Sequence, residues 1–215
     1  LVSAAVAQRP PLSGKLHLGV IPTIAPFLLP RLLPGLNTAY PQLQLFIRED
    51  LSANLATQLK QGELDVLLLA LPYAMDGVES ELLFDDDFSL AVFPDHALAA
   101  KKSLCLQDLE GQDLLLLEDG HCLRDHALQA CHLRASQVGQ PYQATSLHTL
   151  VQMVANRIGI TLLPRMAVNS GIIAGAGIEL LDFPGEKMSR GVGLAWRHNS
   201  PMREEFRLLG EFIKS

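Results

Sequence analysis

The chain has 215 residues, 48% of them hydrophobic and 19% charged, with a formal net charge of -6, which allows one substantial core or two small ones and excludes a disordered chain. Phosphate binding needs clustered Lys and Arg, and the only local run is Lys101-Lys102, so a nucleic-acid surface within these residues is not expected. Three cysteines are too few, and odd in number, for a secreted disulfide scaffold, which favours a reducing, cytoplasmic setting.

The opening Leu1-Val2-Ser3-Ala4-Ala5-Val6-Ala7 is apolar but short, has no basic segment before it and does not begin with Met. That weakens a signal-peptide reading, and residues 1–13 are expected to be a cut end or linker running through Pro10-Pro11. No stretch approaches the roughly 20 apolar residues needed to cross a bilayer, so no membrane partner is expected.

Lys15 to Ile21 alternates as a strand, and Pro22, Pro26, Pro30 and Pro34 are expected to break the following apolar stretch into a loop and short helical pieces. Leu43 to Ile47 reads as a second strand. Ser52 reads as the N-cap of a helix ending near Gly62. Leu64 to Ala70 is a nearly continuous apolar run, as in a strand buried on both faces. The βαβαβ order predicts an α/β fold with parallel strands.

Asp85-Asp86-Asp87 reads as a solvated turn, and Phe88 to Phe93 as a strand stopped by Pro94. A strand over Asp113 to Leu117 meets the turn Glu118-Asp119-Gly120. Cys122 and Cys131 then lie nine positions apart in a segment of helical spacing. Nine helical residues separate two Cα atoms by roughly 13.5 Å of axial rise, whereas a disulfide tolerates about 4.4 to 6.8 Å. If both thiols are reduced and helical in one state, linking them requires that helix to come apart. Downstream, a short strand near Tyr142, a helix capped by Ser146 and ended near Gly159, and the strand Ile160 to Leu163 complete a second α/β unit. Leu147, Val151 and Val154 are its core positions. A strand over Gly191 to Trp196 and a helix from Pro201 to Ile213 end the chain.

Ile21-Pro22-Thr23, Gly62-Glu63-Leu64-Asp65, Gly159-Ile160-Thr161-Leu162-Leu163-Pro164 and Trp196-Arg197 resemble the effector-binding region of LysR-type transcriptional regulators, from about Gly14 to the C-terminus. The segment Leu117-Glu118-Asp119-Gly120-His121-Cys122-Leu123-Arg124-Asp125, followed by Cys131 and by Ala144-Thr145-Ser146-Leu147, resembles the peroxide-sensing members of that family. The resemblance implies a fold like periplasmic binding proteins, two α/β subdomains joined by crossing strands. The first subdomain would comprise 14–86 and 191–215, and the second, 87–190, would carry the cysteines. It also implies a cytoplasmic homo-oligomeric activator, a dimer or homotetramer. Such a regulator would bind DNA through a helix-turn-helix domain upstream of this chain, with RNA polymerase and a thiol reductant as further partners.

The family's peroxidatic cysteine falls on Cys122, its resolving cysteine on Cys131, and its peroxide-contacting hydroxyls on Thr23 and on Ser52, where many relatives carry Thr. A peroxide-attacking thiol must be a thiolate, against a free-thiol pKa of about 8.5. The helix N-terminus, Arg124 and a protonated His121 are expected to favour that form at Cys122, against Glu118, Asp119 and Asp125. Thr23, Ser52 and His121 are candidate donors to the departing hydroxide.

Plainer readings compete. Buried free cysteines are commonly inert, and Cys105 is expected to be structural. Thr23 could cap a helix, as Ser52 and Ser146 could. Arg197 could stabilise an oxidised cysteine segment or form a surface pair. A metal on Cys122, His126 and Cys131-His132 is disfavoured, because the spacing splays these ligands over opposite helix faces. No metal or cofactor is therefore expected. The alternatives to a peroxide sensor are a small-molecule-binding module of LysR type or a solute-binding protein, and, third, a thiol peroxidase. A regulator rather than an enzyme is the leading expectation.

Overall fold

The computed structural model describes residues 10–101, 103–131 and 143–215. The first nine residues, Lys102, His132 and Tyr142 lie outside the described residues, and with them the N-terminal part of the expected linker, half of the lysine pair, His132 of the disfavoured metal set and Tyr142 of the expected strand. The elements in chain order are β1 (Gly14–Val20), α1 (Ala25–Ala39), β2 (Leu43–Glu49), α2 (Ser52–Gln61), β3 (Val66–Leu71), β4 (Val78–Val92), β5 (Leu114–Leu117), α3 (Cys122–Ala130), β6 (Gln143–Ala144), α4 (Leu147–Ala155), β7 (Ile160–Pro164), α5 (Arg165–Asn169), β8 (Glu179–Leu181), β9 (Ser189–Arg197) and α6 (Arg203–Lys214). The chain divides into two compact units, Leu1–Phe84 with Val192–Ser215, and Asp85–Gly191. The divisions fall inside β4 and β9, so these two strands carry the chain from one unit to the other.

In the first unit the strand order is β2-β1-β3-β9-β4. The pairs β1–β2 and β1–β3 are parallel, with Leu18 opposite Ile47 on one side and Val66 on the other. Parallel neighbours need crossovers, which α1 and α2 supply. α2 lies so close to β1 that a Cβ on Gly19 would come within 2.7 to 3.0 Å of Leu67, Leu64 and Leu55. Glycine at that position is what permits the approach. α2 ends at Gly62, whose φ of +80° suits a residue without Cβ. Phe206 and Leu209 of α6 are fully buried and complete this core from the C-terminal end of the chain.

The prolines do not break α1. It runs unbroken for 15 residues with Pro30 and Pro34 inside it. An internal proline removes one backbone donor, here those aimed at the carbonyls of Pro26 and Pro30. All three prolines lie on the exposed face, where water can bond the freed carbonyls. The opposite face buries Phe27, Leu29, Leu32 and Leu36, and that tertiary burial outweighs the lost local bonds.

The second unit has the order β4-β7-β5-β6, with β8 also on β4. β4 pairs antiparallel with β7 and β8, while β5 pairs parallel with β7 and β6. All four leucines of β5 are buried, as are Leu147, Leu150, Val151 and Val154 of α4. Ser146 is the N-cap of α4, its Oγ accepting from the Thr149 N–H at 3.2 Å.

The expected turn at Asp85-Asp86-Asp87 is instead part of β4, a strand of 15 residues. Strand alternation turns Asp85 and Asp87 outward and Asp86 inward. There Asp86 Oδ2 accepts from Nε and Nη2 of Arg190 on β9 at 3.1 and 3.0 Å, and its Oδ1 accepts from the Met166 N–H at 2.9 Å. The two side chains are 2% and 0% exposed, so this ion pair is fully out of water. Removing one member of such a pair strands the other charge. Arg190→Met is expected to lower the unfolding free energy by about 3–5 kcal/mol, read as a lower urea midpoint, and adding Asp86→Asn should recover part of the loss.

Candidate functional site around the cysteine helix

β5 delivers the chain to the turn at Glu118, whose N–H donates to the Ala144 carbonyl at 3.0 Å. Gly120 has φ of +98°, a left-handed conformation that glycine adopts without strain. His121 is the N-cap of α3 but offers no side-chain cap, and Cys122 is the first helical residue. The uncapped N–H groups of this first turn therefore present the positive end of the helix at the level of Cys122.

Arg124 fastens this corner. Its Nη1 donates to the Leu117 carbonyl at 3.3 Å and its Nε lies 3.1 Å from Asp119 Oδ1. The guanidinium thus binds the end of β5 and the turn to the helix. The inner face of α3 buries Leu123, His126, Ala127 and Leu128, while Asp125 points outward.

Cys131 is the C-cap residue, its N–H donating to the Ala127 carbonyl at 3.1 Å. The expected helix is present, and its axial rise between the two cysteines is roughly 13.5 Å. Both are free thiols, Cys122 at 9% exposure and Cys131 at 2%. Burial pushes the Cys131 thiol up to about 12, so at neutral pH it is the protonated, unreactive form. Cys105 is exposed, at the start of a short 3-10 turn over Leu106–Leu109, with its backbone N–H donating to Asp108 Oδ2 at 3.1 Å.

The expectation of a protonated His121 is corrected. The residue is buried, and loss of hydration lowers its imidazole pKa, with Glu118 opposing the shift only in part. His121 beside Cys122 is therefore neutral at pH 7 and brings no positive charge to the sulfur.

Ser52 departs from its expected role as well. The N-cap of α2 is Leu51, and Ser52 is already inside the helix. No side chain caps α2; Asp50, the residue before Leu51, accepts with Oδ1 from the Leu51 N–H at 2.8 Å and from Asn54 Nδ2 at 2.7 Å. The Ser52 hydroxyl is left buried with no hydrogen-bond partner among the described residues. Thr23 is buried directly before Ile24, the N-cap residue of α1, so it is not the cap either. Arg197 forms the expected kind of pair, its Nη2 lying 3.9 Å from Asp65 Oδ1 with both side chains partly exposed. Its Nη1 donates at 2.6 Å to the carbonyls of both Leu59 and Leu64, bracing the C-terminal end of the helix that begins at Ser52. Neither this brace nor the Asp86–Arg190 pair was visible beforehand, because nothing in sequence reports which carbonyl a distant arginine reaches.

Two α/β units linked by two strands define a domain of the periplasmic-binding-protein type, and the chain matches the LysR substrate binding domain over residues 9–215. It belongs to that family, as the residue resemblance implied. Among its relatives, the DNA-binding transcriptional dual regulator OxyR of Escherichia coli K12 is 38% identical over 215 residues, covering 100% of this chain and 70% of the relative. The reduced regulatory domain of OxyR2 from Vibrio vulnificus superposes with a TM-score of 0.88 at 43% identity, covering 96% of this chain and 97% of that one. A hydrogen-peroxide-bound cysteine mutant of OxyR from Corynebacterium glutamicum gives 0.92 at 33% identity, covering 99% of this chain and 67% of that one.

The lowered His121 pKa has a signed consequence. The unfolded chain takes up this proton more readily than the folded one, so the stability held by neutral His121 is complete above about pH 6.5. It declines as the pH falls from there towards the folded value. In thermal melts from about pH 7.5 to pH 5, His121→Gln should lose less stability on acidification than the parent protein.

Proposed function

We propose that this chain is the redox-sensing regulatory domain of a transcription factor, with hydrogen peroxide as its signal. The Cys122 thiolate attacks one peroxide oxygen, an S–O bond forms as the O–O bond breaks, and hydroxide departs. The resulting sulfenic acid condenses with the Cys131 thiol, releasing water and leaving a disulfide. The observation that carries this reading is the pair of free thiols at opposite ends of one short helix in a chain closely similar to OxyR regulatory domains. Since the linked and helical states are mutually exclusive, oxidation unwinds α3 and remodels whatever packs on it.

In this reading Thr23 and Ser52 are the peroxide-contacting hydroxyls. His121 hydrogen-bonds as a neutral imidazole, and Arg124 holds the turn that sets Cys122 at the helix start. The unpartnered Ser52 hydroxyl supports its assignment, because a buried hydroxyl without a bond costs about 1–3 kcal/mol, a cost that peroxide binding would relieve. The domain acts within a cytoplasmic homo-oligomer, a dimer or tetramer, and alters DNA binding by an N-terminal helix-turn-helix domain and thereby transcription by RNA polymerase. A cellular thiol returns the disulfide to its reduced form. The domain turns over no substrate and holds no cofactor.

One equivalent of peroxide followed by thiol mapping under non-reducing conditions should show a Cys122–Cys131 link. Cys122→Ser should abolish the link and Cys105→Ser should leave it. Finding the two thiols still free in the parent protein defeats the reading.

Ser52→Ala separates a contact role from a capping role. Loss of a cap costs about 1 kcal/mol of stability. Here the melting temperature should hold or rise while the peroxide rate falls about 10²-fold, the loss typical for one donor to developing negative charge. Thr23→Val should slow the reaction similarly.

A further inference from the structure

α3 carries one buried titratable side chain that this chemistry has not used. His126 follows Cys122 by four residues and is 9% exposed, as Cys122 is. Residues at this spacing on a regular helix stand one above the other, with Cβ atoms about 5–6 Å apart. Helical side chains lean towards the N-terminus, so the imidazole of His126 is carried back over the turn that holds Cys122.

Gln129 of α3 is exposed. Arg124 is held by the Leu117 carbonyl and Asp119, and Asp125 is exposed. His121 precedes the helix, where the helical lean does not direct a side chain.

We propose that His126 is the proton donor to the departing oxygen when Cys122 is oxidised. This rests on the peroxide reading above and specifies how its first step is completed. The Cys122 thiol passes its proton to the His126 imidazole. The sulfur electron pair then attacks the nearer peroxide oxygen, and as the S–O bond forms and the O–O bond breaks, the imidazolium returns the proton to the leaving oxygen. Sulfenic acid, water and neutral His126 result, with every atom and electron accounted for. The leaving group becomes water in place of hydroxide, and the burial of the pair keeps solvent from supplying the proton instead.

The test compares two electrophiles on the 215-residue chain. Hydrogen peroxide needs its leaving oxygen protonated, whereas iodoacetamide, which releases iodide, does not. Both depend equally on the thiolate fraction of Cys122, so their rate ratio cancels any change in that fraction and any general loss of access. Rates at Cys122 are read by mass spectrometry for the parent protein, His126→Gln and His126→Asn, each first checked by circular dichroism and thermal melting. The peroxide-to-iodoacetamide ratio should fall at least about tenfold in whichever variant folds, general acid groups being commonly worth roughly 10²- to 10⁴-fold. An unchanged ratio, with both rates equally lowered or neither, overturns the role of His126 while leaving the peroxide reading intact. A parent protein whose Cys122 alkylates but does not oxidise overturns both.

Discussion

Rigid separation of two sulfurs by a helix is the constraint around which the second unit is arranged. Nine residues of α3 make a rod, and no side-chain rotation closes a gap of roughly 13.5 Å to disulfide length. A helix of this length is also too short to persist alone, since isolated helices below about 12 to 15 residues are marginal in water. α3 therefore exists because Leu123, Ala127 and Leu128 are buried and because Arg124 ties its first turn to β5. A rod held by a few tertiary contacts is stiff while it lasts and inexpensive to unwind, which suits an element that, in the proposed chemistry, exists in one redox state and not in the other.

The two ends of that rod place chemically identical thiols in unequal settings. Cys122 sits beside uncapped backbone donors, the neutral His121 and, one turn on, His126. Cys131 is sealed in, and burial alone keeps its proton on. The inequality orders the proposed chemistry. One sulfur meets the oxidant, and the other stays silent until the helix opens and water or the sulfenic acid reaches it. In that scheme a direct reaction of peroxide at Cys131 is disfavoured by the burial of its thiol.

Polar groups elsewhere divide in an instructive way. Asp86 and Arg190 are completely buried and completely bonded, as a pair that fixes structure must be. Ser52 is equally buried and has no partner among the described residues. Proteins tolerate such an unsatisfied group where function requires it. Arg197 and Gly19 fix the helix that carries Ser52, one through the carbonyls at its far end and the other by yielding space beneath it.

Much of the architecture lies in local pattern. The apolar runs of β3, β5 and β7, the Ser146 cap, the Gly62 stop and the helical spacing of the cysteine segment are all readable from residues a few positions apart, and so are the motifs that mark the LysR family. The sequence by itself determined the α/β order and the place of Cys122 and Cys131 on one helix. It misread α1, because prolines report a local cost but not the compensating burial of Phe27, Leu32 and Leu36. Asp86 was misread because its partner lies 104 residues away. Ser52 is not a cap because the helix begins at Ser52 itself, with Leu51 as its N-cap residue, and the charge of His121 follows from how deeply the fold buries it. Hydrogen-bond assignment and solvent exclusion are properties of the assembled neighbourhood, so only the tertiary structure decided them.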